Sequence, residues 1–316
     1  MINTINGKKM KKILMSFVLL LGAVTMSAQG SGVKISAKYK KGDNMLYRAT
    51  TVTNIQGKTI NMVGDTRYVV TKASPDGYTI ASTLEKMQTD AAKDDLVGRM
   101  MNITSEGLKG IKIILTTDAD GKVTGIQNLE EVKEKSKAYV DNVFEELFAE
   151  LPTDDKFLSM DQLKATAMEQ LSEENILNAM NVNPTPFTLN GMTISTGTEN
   201  WSEDASGMKM KNQYTLLAPD ASKIKVTSKL EMSKDDMKKY MISQVKKIMP
   251  QQAEMIEQNI DMVMDSGVFN IDKTLTAEFE FGTNGWMKTI TYSTTNVING
   301  QSSDIKAKLE LIESNR

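Results

Sequence analysis

The sequence predicts an α+β fold in which curved antiparallel β-sheets form two related halves, each with inserted amphipathic helices. Short segments rich in Thr, Val, Ile and Tyr alternate with turn residues along most of the chain. Longer segments between them carry apolar residues at helical spacing. A hairpin-like stretch also occurs twice, at Tyr68–Glu85 and Tyr214–Glu231, with Tyr, Ser, Leu and Glu at equivalent positions. We interpret this repeat as an old duplication, although β-meanders in general share the pattern.

The first half begins with strands, and Gly, Pro and Asp supply the turns between them. The predicted strands are Lys34–Lys40, Met45–Asn54, Thr59–Lys72, Tyr78–Met87, Ile111–Thr117 and Lys122–Gln127. The last two flank Asp118-Ala119-Asp120-Gly121, which ends in the Asp-Gly pair typical of a tight hairpin turn.

Helices complete the first half. Asn128 and Glu131 form a capping arrangement, and apolar residues then recur at spacings of three and four until Pro152. The other predicted helices are Asp94–Thr104, Met160–Leu171 and Glu173–Met180. The rigid segment Asn183-Pro184-Thr185-Pro186 then marks the boundary between the halves.

The second half returns to strands and contains two helices. Its predicted strands are Phe187–Leu189, Met192–Glu203, Met208–Leu217, Lys223–Met232, Val268–Phe281, Trp286–Val297 and Asp304–Ile312. Ser233 and Asp236 open an amphipathic helix that Pro250 interrupts. A further helix at Gln252–Asp265 ends at Gly267, which is a good C-cap residue.

The N-terminus has the pattern of a secretory signal peptide. Four lysines between residues 8 and 12 precede the apolar run Ile13–Val24, and the small residues Ser27 and Ala28 follow. The run is too short to span a bilayer comfortably, although an uncleaved anchor is the alternative. We expect a signal peptide at 1–28, a first half at 29–186 and a second half at 187–316, with the halves forming one compact unit. The mature chain is expected to be soluble in the periplasm or outside the cell, without a lipid anchor because no cysteine is present.

Composition excludes several kinds of chemistry. The chain has no cysteine and no histidine, so Cys–His and Ser–His–Asp catalysis and thiolate or imidazole metal sites are excluded. The formal net charge of −2 disfavours nucleic acid as a partner. We expect no metal and no cofactor, and the oligomeric state stays open.

The remaining motifs have structural explanations. Gly57-Lys58-Thr59 lacks the first glycine of a phosphate-binding loop, and Asp118–Gly121 lacks the bidentate carboxylate of a calcium loop. Ser-x-x-Lys spacings fall in expected turns, in the N-terminal tail or on a solvated helix face. Adjacent acidic pairs lie in or beside the polar faces and first turns of helices, where the dipole favours them. The sequence therefore predicts that the protein is not an enzyme.

Methionines on the predicted helices of the second half are the one feature that favours a binding site. The chain has 23 methionines, and flexible, polarisable methionine side chains adapt to varied apolar partners. The alternative is that they are ordinary core residues. The candidate ligand-binding residues are Met237, Met241, Met249, Met255 and Met262.

Two segments carry a resemblance to known proteins. Lys41–Tyr47, and the Thr117–Val123 hairpin leading into Asn128-Leu129-Glu130-Glu131, resemble an exported Gram-negative family described only as a domain of unknown function. The expected architecture is also loosely similar to periplasmic lipoprotein carriers, in which helices cover a curved antiparallel sheet around an apolar cavity. The first resemblance implies an exported, non-catalytic protein and assigns no site residues. Together with the helix methionines, the second leads us to expect a periplasmic module that binds an apolar small molecule, such as a lipid, or a lipidated protein. The alternative is a structural or protein-interaction component of the cell envelope without a small ligand.

Overall fold

The computed structural model describes most of the chain that follows the predicted signal peptide, and three residues inside that signal peptide. The described residues are 22–24, 32–55, 57–91, 109–150, 164, 168, 172–182, 184–204, 208–248, 254, 257–261, 271–298 and 301–315.

Strands account for most of the described residues. They are β1 Gly22–Val24, β2 Val33–Lys34, β3 Asn44–Ile55, β4 Lys58–Ser74, β5 Gly77–Thr89, β6 Lys112–Thr117, β7 Val123–Ile126, β8 Thr193–Ile194, β9 Glu199–Asp204, β10 Lys209–Leu216, β11 Lys223–Leu230, β12 Ile271–Phe281, β13 Met287–Ile298 and β14 Gln301–Asn315. The helices are α1 Leu129–Glu150, α2 Glu173–Val182 and α3 Lys234–Ile248.

One curved, open antiparallel sheet organises the fold. Its order is β1-β9-β10-β11-β12-β13-β14-β3-β4-β5-β6-β7, while β2 and β8 form a separate pair. Strands β3–β7 and β9–β14 are consecutive meanders, and β14 joins them by pairing with β3. The predicted class, an antiparallel sheet with inserted helices, is confirmed. Both repeated stretches are hairpins, β4–β5 and β10–β11, whereas their common origin stays a prediction.

The first strand of the sheet lies inside the predicted signal peptide. Gly22–Val24 pairs with Ser202–Asp204 of β9 at one edge. Removal of residues 1–28 would therefore leave β9 as the edge strand. At the other edge, the backbone N–H of Ile126 in β7 donates to the Glu173 carboxylate of α2 at 3.2 Å. Protection of this edge by a helix is a common way of preventing unwanted strand pairing.

Side chains of the main sheet alternate between two faces. The core face carries buried apolar residues such as Tyr47, Tyr68 and Ile290. The outer face carries charged cross-strand pairs, and the Arg48 guanidinium contacts both carboxylate oxygens of Asp65 at 2.8 Å. These hydrogen bonds hold the pKa of Asp65 below its ordinary value.

An aromatic cluster fills one half of the core face. The rings of Trp286 and Tyr39 stack with centroids 4.0 Å apart, and Trp286 Nε1 donates to Asp43 Oδ2 at 2.9 Å. The Tyr47 hydroxyl donates to the backbone carbonyl of Met287 at 2.6 Å. Burial raises the pKa of Tyr68 to about 12. These contacts connect the start of β3 to the β12–β13 hairpin.

Two predicted strands that cover this cluster are not strands. In Lys34–Lys40 only Lys34 is strand, because the backbone of this segment pairs with a loop and a turn. The backbone N–H of Ile35 donates to the carbonyl of Met192, and that of Ala37 donates to the carbonyl of Asp120, each at 2.8 Å. Phe187–Leu189 is a turn whose Leu189 has φ of 76°, although Phe187 and Leu189 are buried in the core. The apolar residues of these two segments correctly indicated burial, whereas the predicted strand conformation was wrong.

Most other predicted elements are confirmed within small shifts of their ends. Met192–Glu203 is divided into β8 and β9, because a turn with Gly197 at φ 85° interrupts it. The predicted helix Asp94–Thr104 lies outside the described residues. Within Met160–Leu171 the structure describes residues 164 and 168, and within Gln252–Asp265 residues 254 and 257–261, all of them helical.

Candidate functional site

On β3, β4, β5 and β14 the core face of the main sheet has two ends that differ in burial, whereas on β12 and β13 Lys273, Thr294 and Asn296 are buried at the same level. At the closed end, which we define by Tyr47, Tyr68 and Trp286, side chains are buried in the main hydrophobic cluster. The open end comprises the opposite halves of the same strands, beyond the level of Ala49 and Ile290. Since the strands run continuously from one end to the other, the same face supports both environments.

Partly exposed apolar side chains cover the open end on the strands around β3. Strand register places these side chains in two rows across β14, β3 and β4. One row is Ala307, Thr51 and Met62. The next row is Ile305, Thr53 and Ile60. Met87 lies one level nearer the closed end, opposite Gly64. All five apolar members are partly exposed, in contrast to Leu309 and Tyr68 on the same face. We call this set the apolar strip: Ile60, Met62, Met87, Ile305 and Ala307.

Two of the predicted ligand-binding methionines meet at the side of the open end formed by β11 and β12. Met237 and Met241, on α3, are buried with Ile260 in a small cluster. Leu230 and Ile271 pack against this cluster from the strand ends. Met237 and Met241 are only 8% and 7% exposed, so in this structure they are packed residues. Met249, Met255 and Met262 lie outside the described residues.

A paired polar network occupies the core face on β9 and β10. The Asn212 amide donates to Asn200 Oδ1 and to Ser202 Oγ, each at 3.0 Å. The Asn200 amide contacts the Tyr214 hydroxyl at 3.3 Å. Burial raises the pKa of Tyr214 above its ordinary value. Each of these buried groups therefore has a partner within the sheet.

Three further polar residues lie on this face, on β12 and β13. Lys273 and Asn296 are directly opposite each other, and Thr294 follows on the same face opposite Leu275. The exposed fractions of Lys273, Thr294 and Asn296 are 7%, 2% and 3%. Thr294 is also opposite Ile305, so these residues adjoin the apolar strip.

Surface depressions lie elsewhere. One of about 620 Å³ is bordered by Trp201, Lys209 and Asp236, where β9 and β10 approach the start of α3. Another of about 470 Å³ is lined mainly by outer-face residues such as Thr50 and Lys306. Neither is lined by the five methionines that the sequence predicted.

The turn motifs have the structural roles that the sequence indicates. Asp118 Oδ1 accepts hydrogen bonds from the backbone N–H groups of Asp120 and Lys122, each at 3.0 Å, within the β6–β7 hairpin. Gly57, with φ of 78°, lies in the β3–β4 turn. Among the described residues, no group of three or more acidic side chains is arranged to hold a metal ion. No helix in the described part of the chain is both long and apolar enough to cross a membrane.

Comparisons with known proteins give little. No protein-family model matches the chain, and no curated protein matches it. Among solved structures, the chain is similar to lipovitellin, from a structure that describes lipid–protein interactions in that protein. The TM-score is 0.41 and the identity is 7%, and the match covers 87% of this chain and 26% of the lipovitellin chain. DynF, from dynemicin biosynthesis in Micromonospora chersina, has a TM-score of 0.17 and 9% identity over 90% and 92% of the two chains. The chain thus spans about a quarter of the lipovitellin chain, and these comparisons assign it to no family.

The sequence analysis missed the apolar strip, although the signal was present. From Asp304 to Leu311 charged and apolar residues alternate without interruption, which is typical of a strand with one apolar face. On β4, Ile60 and Met62 flank the polar Asn61, although the apolar Val63 then interrupts the alternation. Which part of that face is filled by the protein's own core depends on long-range packing, so alternation alone could not locate the open end.

Proposed function

We propose that the protein is an exported carrier that binds an apolar ligand, such as a lipid or the acyl chain of a lipidated protein, at the open end of its core face. One observation supports this proposal above the others. The apolar strip continues the buried core face of β3, β4, β5 and β14, yet its members stay partly exposed. Covering such a surface with a ligand is favourable by about 25 cal/mol for each Å² of apolar area removed from water.

The composition of the strip suits an adaptable binder. Met62 and Met87 are unbranched and polarisable, so they conform to acyl chains of different shape. The methionine cluster around Met237 and Met241 adjoins the same end and supplies further apolar surface on α3. In this proposal the protein acts by binding and not by catalysis, and the predicted signal peptide directs it to the periplasm or beyond.

A charge placed on the strip tests the proposal. Met62→Lys puts an ammonium group on the core face, whereas Val63→Lys puts it one residue further along β4, on the outer face. Loss of one buried methionine contact corresponds to roughly a tenfold to hundredfold weaker affinity. The measurement is a fluorescence titration with N-phenyl-1-naphthylamine, displaced by dodecyl compounds. Equal affinities in both variants, or no binding by the unaltered protein, would contradict the proposal.

An interaction component of the cell envelope is the second candidate. Trp201 is half exposed on the outer face of β9 and borders the depression of about 620 Å³. Exposed tryptophans are enriched among the residues that dominate protein interfaces. Self-association lost in Trp201→Ala, together with no binding of apolar probes, would favour this candidate over the carrier.

A further inference from the structure

A polar site lies beside the apolar strip on the core face, and it is incompletely hydrogen-bonded. Thr294 and Asn296, two residues apart on β13, are almost fully buried. Within the part of the chain that the structure describes, Thr294 Oγ1 and Asn296 Oδ1 take part in no hydrogen bond. Buried polar atoms without partners destabilise a fold, so those that persist commonly mark a functional position.

The same sheet shows that such groups can be paired internally. Asn200 and Asn212 lie on the core face of neighbouring strands, and their amides bond each other, Ser202 and Tyr214. Among the described residues of the main sheet, the contrast is therefore local to β13; the other buried oxygen without a partner, Asn190 Oδ1, lies in a turn outside the sheet. The contrast lies where Thr294 pairs across to Ile305, a member of the apolar strip.

We infer that Thr294 and Asn296 bind the hydroxyl head group of an apolar ligand whose chain lies along the apolar strip. This inference rests on the proposed carrier function and names the class of ligand, such as a long-chain alcohol or a monoacylglycerol. A hydroxyl both donates and accepts hydrogen bonds, so it satisfies the Asn296 amide in either orientation and the Thr294 hydroxyl as well. A carboxylate only accepts, and it leaves Asn296 Oδ1 without a donor.

Lys273 contributes to the position of this site. It lies directly opposite Asn296, two residues from Ile271 on the same strand, and it is buried. Ile271 in turn packs against the cluster of Met237 and Met241. The head-group site therefore lies between the apolar strip and the methionine cluster, with apolar surface on both sides.

Three ligands with the same dodecyl chain and different head groups test which head group the site binds: 1-dodecanol, methyl dodecyl ether and dodecanoate. Each is titrated into the full-length protein, and its displacement of N-phenyl-1-naphthylamine is measured. We expect 1-dodecanol to bind about tenfold more tightly than the ether, which cannot donate a hydrogen bond. Thr294→Val, which keeps the side-chain shape, and Asn296→Leu are expected to abolish most of this difference. Thr291→Val is the matched control, because Thr291 lies on the same strand and faces outward.

The outcomes separate the two proposals. Failure of all three ligands to bind would overturn the carrier function itself. Binding of all three with equal affinity, or an alcohol preference that survives in Thr294→Val and Asn296→Leu, would overturn only the head-group site. Melting without ligand provides an independent check. Thr294→Val should raise the melting temperature if the hydroxyl lacks a partner, and a lowered melting temperature with unchanged affinities would show a purely structural hydroxyl.

Discussion

Replacing Trp286 with phenylalanine removes the contact that connects the start of β3 to the β12–β13 hairpin. Trp286 is fully buried, and its indole N–H donates to the carboxyl of Asp43, which is 2% exposed. A buried oxygen deprived of one partner costs about 1–3 kcal/mol. The smaller ring also loses part of its stacking on Tyr39 and leaves a cavity, so we expect a total loss of about 3 kcal/mol. Such a loss lowers the melting temperature of a chain of this size by roughly 6 °C.

Trp201 provides a matched control, since the chain contains two tryptophans and Trp201 is half exposed on the outer face. Urea unfolding followed by far-ultraviolet circular dichroism should show Trp201→Phe within about 0.5 kcal/mol of the unaltered protein. Asp43→Ala combined with Trp286→Phe should be less destabilising than the sum of the single changes by about 1 kcal/mol or more. Equal stabilities of Trp286→Phe and Trp201→Phe, or strict additivity of the double variant, would refute the proposed role of this contact.

Two further predictions concern turns and charge. Gly285→Ala should destabilise the protein more than Gly57→Ala in urea unfolding. Both glycines have φ of 78°, but only at Gly285 would a Cβ lie 2.7 Å from the backbone N of Lys38. Equal losses of stability in the two variants would contradict this close approach. Arg48 lowers the pKa of Asp65 in the folded protein, so the Arg48–Asp65 pair stabilises the fold while Asp65 is ionised. This contribution is fully present above the pKa that Asp65 has in the unfolded chain, and it is lost as the pH falls through the lower pKa of the folded state. Asp65→Asn should therefore lose less stability than the unaltered protein upon acidification, and identical pH profiles would contradict the linkage.

Local patterns were sufficient to predict most elements of the fold. The helix start at Asn128, the strand Asp304–Ile312 and the Asp120-Gly121 turn depend on neighbouring residues, and each forms as the sequence predicts. The Asn128 side chain differs from the predicted cap, because its Oδ1 accepts from the backbone N–H of Ile114 in β6 at 2.8 Å. The segments 34–40 and 187–189 differ, because their partners are loops that come together only in the tertiary structure. Apolar runs report burial directly, whereas strand conformation also requires a neighbouring strand.

The candidate site was less accessible to sequence reasoning. Methionine content directed attention to α3, where Met237 and Met241 are packed residues, while the partly exposed strip lies on strands that contribute few methionines. Ile305 and Ala307 join the other members of the strip only through the β14–β3 pairing, which brings residues near 305 beside residues near 53. Pairing at such separation is set by the whole sheet and has no local signature.

Native mass spectrometry, with solvent extraction of the same sample, shows directly whether the protein carries an apolar ligand on the apolar strip. The protein is purified from its own host without detergent, and the Met62→Lys and Val63→Lys variants are treated in parallel. We expect the unaltered protein and Val63→Lys to retain an apolar molecule at near-stoichiometric amount, and Met62→Lys to lose it. Bare protein in all three samples, together with no increase in melting temperature on adding 1-dodecanol or phospholipid, would contradict the carrier function.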